Sequence, residues 1–475
     1  MDSTADGGEE WLREYARAAP APGLVVLMQA GEPSTGTIAV TRASAGVELG
    51  RGNPHGLLAE DAQVSRGHVR ISLQGQGFRI EDLGSRNGTF VDGVRVEGAV
   101  ERAAPALLRI GRSLLWLVAD IRPFTGQKAP DMVGSSSANL SVTSAPIVGG
   151  LSRRALGEIA IAGKAGDTLL ILGESGAGKE LMARAFHEAH FGSDARAPLI
   201  AVNCATVPEG LAERLLFGAK RGAFSGATDV DGYIIEAHGG TLFLDEVAEL
   251  DPLVQAKLLR VFETREVVAL GAVTPRKVQI RICAATHKDM RAEVASGRFR
   301  ADLYYRIGRP EVRLPPLRER LDEIPWLLSR VARGVDARLQ MSVTAVEACA
   351  LRPWPGNVRE LLQESRRAAH AALHEGSELV RPEHFAAEAG LALGPSSQPG
   401  AAASGQSGSS SPPRTTSSFD DAAIATALAE HGGNVTRTAK ALGLHRNQLR
   451  RWVAKHGGGA GDSGATDPPD IDDDT

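Results

Sequence analysis

Apolar and polar positions divide the 475-residue chain into regions with different periods. From about residue 23 to 122, short apolar runs such as "LVVLM" and "HVRISL" alternate with Gly and Asn turns, which predicts the short strands of a β-sandwich or barrel. Over residues 147–314, runs such as "TLLIL" and "TLFLD" alternate with helical stretches, as in a parallel α/β sheet. Helical periodicity predicts α-helices over residues 315–393 and again over 419–457. The predicted fold class is multidomain: a β-domain, an α/β domain with a helical extension, and an all-α end.

Two polar, aperiodic stretches separate these regions. Residues 123–146 and 394–418 are rich in small residues, a composition typical of linkers. Residues 458–475 form an acidic tail, for which we predict either solubilising disorder or competition with DNA for the preceding basic segment.

Charge and composition narrow the class of protein. The formal net charge is only -4, but the charge is segregated: residues 431–456 contain Arg and Lys without an acid, and residues 457–475 contain Asp without a base. No apolar run reaches the length of a membrane span, the N-terminus lacks the apolar core of a secretory signal, and three distant cysteines form neither a disulfide framework nor a zinc motif. These features predict a cytoplasmic protein without a membrane partner.

A glycine-rich motif is the strongest chemical signal in the α/β region. "GESGAGK" fits G-x-x-x-x-G-K between a predicted strand and a predicted helix. The glycines let backbone amides approach phosphate oxygens, and Lys179 would reach the β- and γ-phosphates. Glu180 stands where the general motif has a Mg²⁺-binding Ser or Thr. The alternative is a turn that binds nothing. The predicted nucleotide-binding residues are Gly173, Glu174, Ser175, Gly176, Ala177, Gly178, Lys179 and Glu180.

Two acids follow the apolar run in "GGTLFLDEVAEL". Buried acids need a cation or a reacting water to compensate them, so we predict that Asp245 binds Mg²⁺ and that Glu246 polarises the attacking water. An ordinary acid pair at a strand end is the alternative. Together with the phosphate loop, the pair predicts an ATPase that uses ATP and Mg²⁺. The Arg-rich segment with Arg298, Arg300 and Arg306 offers cations for the transferred phosphoryl group, or else a solvated helix face.

Residues 147–393 resemble the AAA+ domain of bacterial enhancer-binding proteins, the activators of sigma-54 RNA polymerase. Matching motifs occur in the family's order: "GESGAGKE", "VNCATVPE", "GAFSGA", "AATH", "FRADLYYR" and "PWPGNVREL". The family's phosphate loop also ends in Glu, so Glu180 fits it. The resemblance implies a helical lid over residues 315–393. It further implies roles for Asn203 as a switch paired with Glu246, His287 as first sensor, Arg300 and Arg306 as fingers acting on a neighbouring subunit, and Arg359 as second sensor facing the nucleotide.

The motif "GAFSGA" resembles the family's loop that touches sigma-54. Its members are Gly222, Ala223, Phe224, Ser225, Gly226 and Ala227. The resemblance implies that Phe224 is the exposed tip of a loop that nucleotide state moves between permissive glycines. From the residues alone, a surface turn with Phe224 folded into the core is the alternative. Ser225 replaces the family's usual Thr, and Leu215 stands where an acid is common in the family. How strongly the protein acts as an activator therefore stays open.

The N-terminal region resembles a forkhead-associated (FHA) domain, a β-sandwich that binds phosphothreonine. The motifs are "GR", "SRGH" and "GSRNGTFVDG", in which His68 is expected to be structural. The alternative is turn chemistry in a sandwich. The resemblance implies a phosphothreonine-containing partner or a Ser/Thr kinase pathway. The predicted phosphopeptide-binding residues are Arg51, Ser65, Arg66, Arg86 and Asn87.

The C-terminal block resembles the Fis-type helix-turn-helix of the same activators, which implies binding to enhancer DNA. A cationic amphipathic helix for a membrane or a partner is the alternative. The predicted DNA-binding residues are His445, Arg446, Asn447, Gln448, Arg450 and Arg451.

These features predict an activator that binds enhancer DNA, assembles from dimer to hexamer, and remodels sigma-54 RNA polymerase with ATP, under control of phosphothreonine. Two rivals remain open from the sequence. One is a phospho-dependent DNA-binding scaffold without catalysis, and the other is an AAA+ remodeller of a different target.

Overall fold

The computed structural model describes residues 19–41, 46–52, 58–75, 77–126, 147–192, 196–208, 210–223 and 228–392, with 426–429 and Thr438 near the C-terminus. The chain divides into two compact units, Met1–Pro395 and Ser396–Thr475. In the second unit, residues 426–429 are helical. The predicted DNA-binding residues 445–451 and the loop residues 224–227 lie outside the described part of the chain. Within that part, no helix has both the length and the apolar character needed to cross a membrane.

Two antiparallel sheets form the N-terminal domain. One sheet has the order β2-β1-β11-β10-β7-β8 with β3 beside β1, and the other has the order β4-β5-β6-β9. Residues such as Leu24, Val26, Leu115 and Leu117 fill the core of this domain. This architecture confirms the predicted β-sandwich. Its strands are β1 (Gly23–Gln29), β2 (Glu32–Pro33), β3 (Thr37–Ala39), β4 (Val47–Leu49), β5 (Val69–Gln74), β6 (Gly77–Asp82), β7 (Thr89–Val91), β8 (Val94–Arg95), β9 (Ala99–Arg102), β10 (Ala106–Ile110) and β11 (Ser113–Val118).

Strand β11 is buried along its whole length, and β1 is buried at all but its last residue. Successive side chains of a strand point to opposite faces, so both faces of these strands must be covered. One face meets the sandwich core. The other face carries Val25 and Trp116 and belongs to the same apolar cluster as the C-terminal helices of the central region.

A five-stranded parallel sheet forms the core of the central domain, as the alternating pattern predicted. Its order is β13-β16-β19-β12-β20. The carboxyl ends of β12 and β16 therefore lie on one edge, where the glycine-rich loop and the acid pair follow them. The sheet strands are β12 (Thr168–Leu172), β13 (Leu199–Asn203), β16 (Thr241–Asp245), β19 (Arg281–Thr286) and β20 (Glu311–Arg313). Two short ribbons accompany them: β14 (Gly218–Ala219) with β15 (Val230–Asp231), and β17 (Glu266–Val267) with β18 (Arg276–Lys277).

Helices pack around this sheet and bury their apolar sides against it. The side chains of Asp251 and Asp289 each cap a helix by accepting backbone N–H bonds at its first turn. The helices are α1 (Gly150–Ala165), α2 (Lys179–Phe191), α3 (Ala212–Phe217), α4 (Tyr233–Glu236), α5 (Pro252–Thr264), α6 (Met290–Ala295) and α7 (Ala301–Ile307).

Three further helices form the lid that the sequence predicted. They are α8 (Ile324–Val335), α9 (Val343–Ala350) and α10 (Asn357–His374), with a short parallel ribbon of β21 (Gln340–Met341) and β22 (Leu379–Val380) beside them. Ser342 caps α9 by accepting the Ala345 N–H. The fully buried Trp354 donates its indole N–H to the Cys349 carbonyl, which fixes the connection between α9 and α10.

Candidate functional site

The phosphate loop joins β12 to α2 and lies against the lid. Gly176 has φ +73°, and a Cβ at that position would stand 2.2 Å from the Gly356 carbonyl oxygen. Gly178 has φ +106° and precedes the first residue of α2. The backbone therefore needs glycine at both positions, for space at the first and for conformation at both.

Lys179 points back into the loop. Its ammonium donates to the Gly173 carbonyl at 3.1 Å and to Glu246 Oε1 at 2.8 Å. The two charged side chains are 6% and 13% exposed, so solvent screens their attraction weakly. The structure thus brings together the predicted phosphate-binding residue and the predicted catalytic acid.

Glu246 is held from two sides. Its other carboxylate oxygen lies 2.7 Å from His287 Nδ1 and accepts the His287 backbone N–H at 3.2 Å. Burial opposes ionisation, but the hydrogen bonds from Lys179 and His287 outweigh it and lower the pKa of Glu246. Its backbone φ of +52° is uncommon for a residue other than glycine, and such strain is found where a side chain must be aimed.

Asp245 ends strand β16, and its Oδ1 accepts the Glu246 backbone N–H at 3.0 Å. Burial raises the pKa of Asp245; the nearby Lys179 opposes this rise, and Glu246 adds to it. A half-buried carboxylate with a raised pKa fits a divalent cation, because the cation would restore its ionised form. Mg²⁺ usually takes one or two protein carboxylates together with substrate phosphates, and Asp245 at the mouth of the phosphate loop matches that donor set.

Asn203 lies level with Asp245, since β13 pairs with β16 in parallel register at these residues. Its side-chain oxygen accepts the Ala205 N–H at 3.0 Å and so caps the short helical turn after β13. The Glu246 carboxylate is bonded to Lys179 and His287 instead. The predicted pairing of Asn203 with Glu246 stays a prediction.

The lid is hydrogen-bonded to the phosphate loop through residues that were not predicted from the sequence. Arg318 donates two hydrogen bonds to the Glu174 carboxylate, at 2.9 and 2.7 Å. Asn357 donates to Glu174 and to the Ser175 carbonyl, while its oxygen accepts the Leu317 N–H. These contacts, led by the Arg318 bond, lower the pKa of Glu174. Arg359, the predicted second sensor, donates to Ser175 Oγ at 3.4 Å.

A buried ionic cluster fixes the start of α1 to the lid. The Glu323 and Asp322 carboxylates accept the backbone N–H groups of Gly149 and Gly150 at 2.9 and 2.8 Å. Arg320 donates to Glu323, and also to the Ala177 carbonyl of the phosphate loop. The cluster therefore connects three segments around the nucleotide site.

The predicted phosphopeptide residues lie together at one end of the N-terminal sandwich. Arg51 donates its Nε–H to the Val64 carbonyl at 2.6 Å, and Ser65 Oγ accepts the Arg86 N–H at 3.2 Å. Asn87 donates to the Gln63 carbonyl at 2.7 Å. Arg51, Arg86 and Asn87 are exposed, so the side chains face solvent from one small area.

His68 supports this area from beneath. It is fully buried, its Nδ1 accepts the Ser65 N–H at 3.0 Å, and its Nε2 lies 3.2 Å from the Gly88 carbonyl. Burial lowers the pKa of His68, which keeps the ring neutral and able to make both bonds. The residue is structural, as expected from the sequence.

Comparisons with known proteins agree with this organisation. Residues 151–313 match the Sigma-54 interaction domain, 47–114 the FHA domain, and 417–456 the Fis family of bacterial regulatory proteins. The hydrogenase transcriptional regulatory protein HoxA of Bradyrhizobium diazoefficiens is 40% identical over 61% of this chain and 59% of its own length. The anaerobic nitric oxide reductase transcription regulator NorR of Aeromonas hydrophila is 39% identical over 77% of this chain and 71% of its own length.

The chain belongs to the family of sigma-54-dependent transcriptional regulators. It spans about three fifths of the length of HoxA. A solved structure, NtrX from Brucella abortus in complex with ATP, is 28% identical and covers 64% of this chain and 66% of its own, with a TM-score of 0.44.

In this sigma-54-dependent regulator the central domain is an ATPase domain of the AAA+ type. Its predicted finger arginines lie at α7. Arg300 precedes the helix and pairs with Asp302 at 2.7 Å, and Arg306 donates to the Phe262 carbonyl at 3.0 Å. Their action on a neighbouring subunit stays a prediction.

The predicted sigma-54 loop of the regulator starts at the ribbon of β14 and β15. Gly218 pairs with Asp231 across this ribbon, and the Asp229 side chain accepts the Arg221 N–H at 2.7 Å. Gly222 has φ +89°, a conformation that favours glycine. The two ends of the loop are thus held side by side at the base.

Proposed function

We propose that this protein is an ATP-driven activator of sigma-54 RNA polymerase that is controlled by phosphothreonine binding. The observation that carries the proposal is the convergence of Lys179, Asp245 and Glu246 beneath a lid that bears Arg359. Lys179, Asp245 and Glu246 lie within residues 151–313, which match the Sigma-54 interaction domain.

Binding of ATP exchanges partners around Lys179. The β- and γ-phosphates take the ammonium from Glu246, and the N-terminus of α2 adds its partial positive charge. Glu246 is then able to orient and polarise the attacking water, with His287 holding its second oxygen. Mg²⁺, bound by Asp245, would neutralise charge on the phosphates.

Arginines from a neighbouring subunit supply the remaining cations. Arg306 lies on α7 and Arg300 immediately before it, and their hydrogen bonds go to the Phe262 carbonyl and to Asp302, so their use in catalysis requires a homo-oligomer, from a dimer on DNA to a hexameric ring. The Fis-type region binds enhancer DNA, with residues 445–448 directed to bases and Arg450 and Arg451 to phosphates.

The FHA domain supplies the regulatory input to the ATPase by binding phosphothreonine. A phosphate dianion on threonine fits the area formed by Arg51, Ser65 and Arg86, where charge-assisted hydrogen bonds are available. Asn87 lies where it can hold the peptide backbone, and Arg66 lies next to Ser65. The partner is a phosphothreonine-containing protein or a Ser/Thr kinase.

ATP turnover at rising protein concentration tests the ring. We expect specific activity to rise steeply with concentration, and Arg306→Ala to abolish that rise. Arg298→Ala is the matched control, since Arg298 is an exposed arginine nearby that pairs with Glu293 and is not one of the two arginines to which the family resemblance assigns a finger role. Absence of turnover at every concentration would instead favour the non-catalytic scaffold.

Capture of sigma-54 in the presence of a transition-state analogue of ATP tests the target. We expect capture by the full chain, its loss in Phe224→Ala, and a change in yield in Arg51→Ala when a phosphothreonine protein is present. A Phe224→Ala protein that hydrolyses ATP and still opens sigma-54 promoters would favour a remodeller of another target.

A further inference from the structure

The outer face of the FHA sheet is apolar and covered by the lid. The residues of β1, β10 and β11 that point away from the sandwich core belong to one buried cluster with Trp326, Leu327 and Val346 of the lid. An exposed apolar face of this size would be costly in water, so the contact removes it from solvent. The members of the cluster on these three strands are Val25, Leu27, Met28, Leu107, Leu114, Trp116 and Val118.

One ion pair crosses this contact in a buried position. Arg109 of β10 donates its Nε–H to Glu347 of α9 at 2.6 Å, and the two side chains are 14% and 6% exposed. The guanidinium also stacks over the Phe90 ring, 3.9 Å from its centroid. Removing one member of a buried pair leaves the other charge without compensation, so the pair fixes which surfaces meet.

A second pair lies at the rim. Arg333 of α8 contacts Glu32 at 2.7 Å, with exposures of 40% and 52%. Solvent screens a pair of this kind, so it contributes little to the free energy of the contact.

The contact also contains buried polar atoms without a hydrogen-bond partner. Among the residues that the structure describes, these include the indole nitrogens of Trp116 and Trp326 and the second carboxylate oxygen of Glu347. Each such atom weakens the contact.

The contact places the phosphopeptide area beside the lid. A cleft of about 610 Å³ runs between the domains, with Gln63 and Arg112 on the FHA side and Arg338 and Glu378 on the lid side. Gln63, which lines this cleft, also accepts the hydrogen bond from Asn87 at its backbone carbonyl. The lid also carries Arg359 of α10, which donates to Ser175 of the phosphate loop.

We propose that the outer face of the FHA sheet is a second interaction surface of this domain, and that its partner is the lid of the same chain. The surface binds without phosphate, through the apolar cluster and the Arg109–Glu347 pair. It makes the FHA domain and the lid one body. If the proposed function holds, a phosphopeptide bound at Arg51 and Asn87 acts on the unit formed by the FHA domain and the lid, which also carries Arg359.

Hydrogen exchange on the full-length protein tests the surface without using activity. Glu347→Arg changes only the lid, yet we expect backbone amides of FHA strands β1 and β11 to exchange at least about tenfold faster. Arg109→Glu should in turn speed exchange in α8 and α9. The double variant Arg109→Glu/Glu347→Arg should recover most of the protection in both domains.

Arg70→Glu is the matched control, because Arg70 pairs with Glu48 inside the FHA domain and at its surface. We expect it to leave lid exchange unchanged. Glu347→Gln, which keeps the shape of the side chain, gives the same cross-domain effect if the larger substitution fails to fold. The proposal is overturned if each variant loosens only its own domain, or if the double variant is no better protected than the single ones. Lack of ATP turnover in the unmodified protein would leave this result untouched.

Discussion

The Lys179 ammonium and the Glu246 carboxylate are 2.8 Å apart, so the predicted phosphate-binding and water-activating residues neutralise each other's charge. Glu246→Gln removes this ion pair and the catalytic acid together. We expect turnover to fall by about 10²–10⁴-fold, while ATP binds at least as tightly because Lys179 is released. Titration with a fluorescent ATP analogue and single-turnover hydrolysis measure the two effects.

Lys179→Ala serves as the control. We expect it to lose ATP affinity, since it removes the cation that the phosphates need. A Glu246→Gln protein that loses ATP affinity in proportion to its turnover would contradict the proposed exchange of partners.

Close packing of the lid on the phosphate loop predicts a position-specific effect of a single methyl group. Gly176→Ala places Cβ against the Gly356 carbonyl oxygen and also strains a residue at φ +73°. We expect ATP affinity to fall by at least about tenfold, since relieving this clash displaces the backbone of the phosphate loop. Gly192→Ala, at the end of α2, has φ +60° but open space around its Cβ. It isolates backbone strain, and equal affinities of the two variants would argue against the clash.

Substitutions of Asn357 separate two contributions to the free energy of unfolding, that of side-chain hydrogen bonds and that of backbone conformation. It is fully buried and has φ +51°, which glycine adopts without strain. Asn357→Gly should reduce the free energy of unfolding by about 1–3 kcal/mol, because the Leu317 N–H loses its acceptor. Asn357→Ala should be less stable by roughly a further 1 kcal/mol through the strained backbone. Denaturant unfolding measures both, and an Ala variant as stable as the Gly variant would exclude the backbone contribution.

Acid should weaken the FHA domain through His68. Its folded pKa lies below the ordinary value of 6.5, so the unfolded chain takes up the proton first. Stability is therefore complete above pH 6.5 and falls as the pH drops toward the folded pKa, by at most about 1.4 kcal/mol per pH unit from this group. His68→Asn keeps an acceptor near the Ser65 N–H and should reduce the slope of the free energy of unfolding against pH, measured by denaturant unfolding at a series of pH values. Some slope should remain because burial also lowers the pKa of His187. An unchanged slope in His68→Asn would contradict the assignment.

Local motifs explain what could be predicted from the sequence. The phosphate loop from Gly173 to Lys179 is contiguous, and its glycine spacing follows from the backbone conformation that phosphate binding requires. Asp245 and Glu246 could be predicted as site residues because acids at the end of a buried strand need a compensating partner. The strand runs of both sheets were likewise visible in the apolar pattern.

Contacts between distant segments could not be predicted in the same way. Arg318 is far along the chain from Glu174, and no local period shows that they meet. The contact between the FHA domain and the lid did leave a signal: "LVVLM" and "SLLWLV" are continuously apolar, although a sandwich with one solvated face needs only alternate apolar residues. That signal indicates a second covering layer but not which segment provides it.

The two-sided burial of β1 and β11 limits how this regulator can have arisen or be rebuilt. An ordinary phosphopeptide domain spliced before this ATPase would present a polar sheet to Trp326 and Leu327, and Glu347 would face no arginine. This FHA domain is therefore not interchangeable with another one, because the outer face of its sheet fits this particular lid. A chimaera must carry both contacting surfaces.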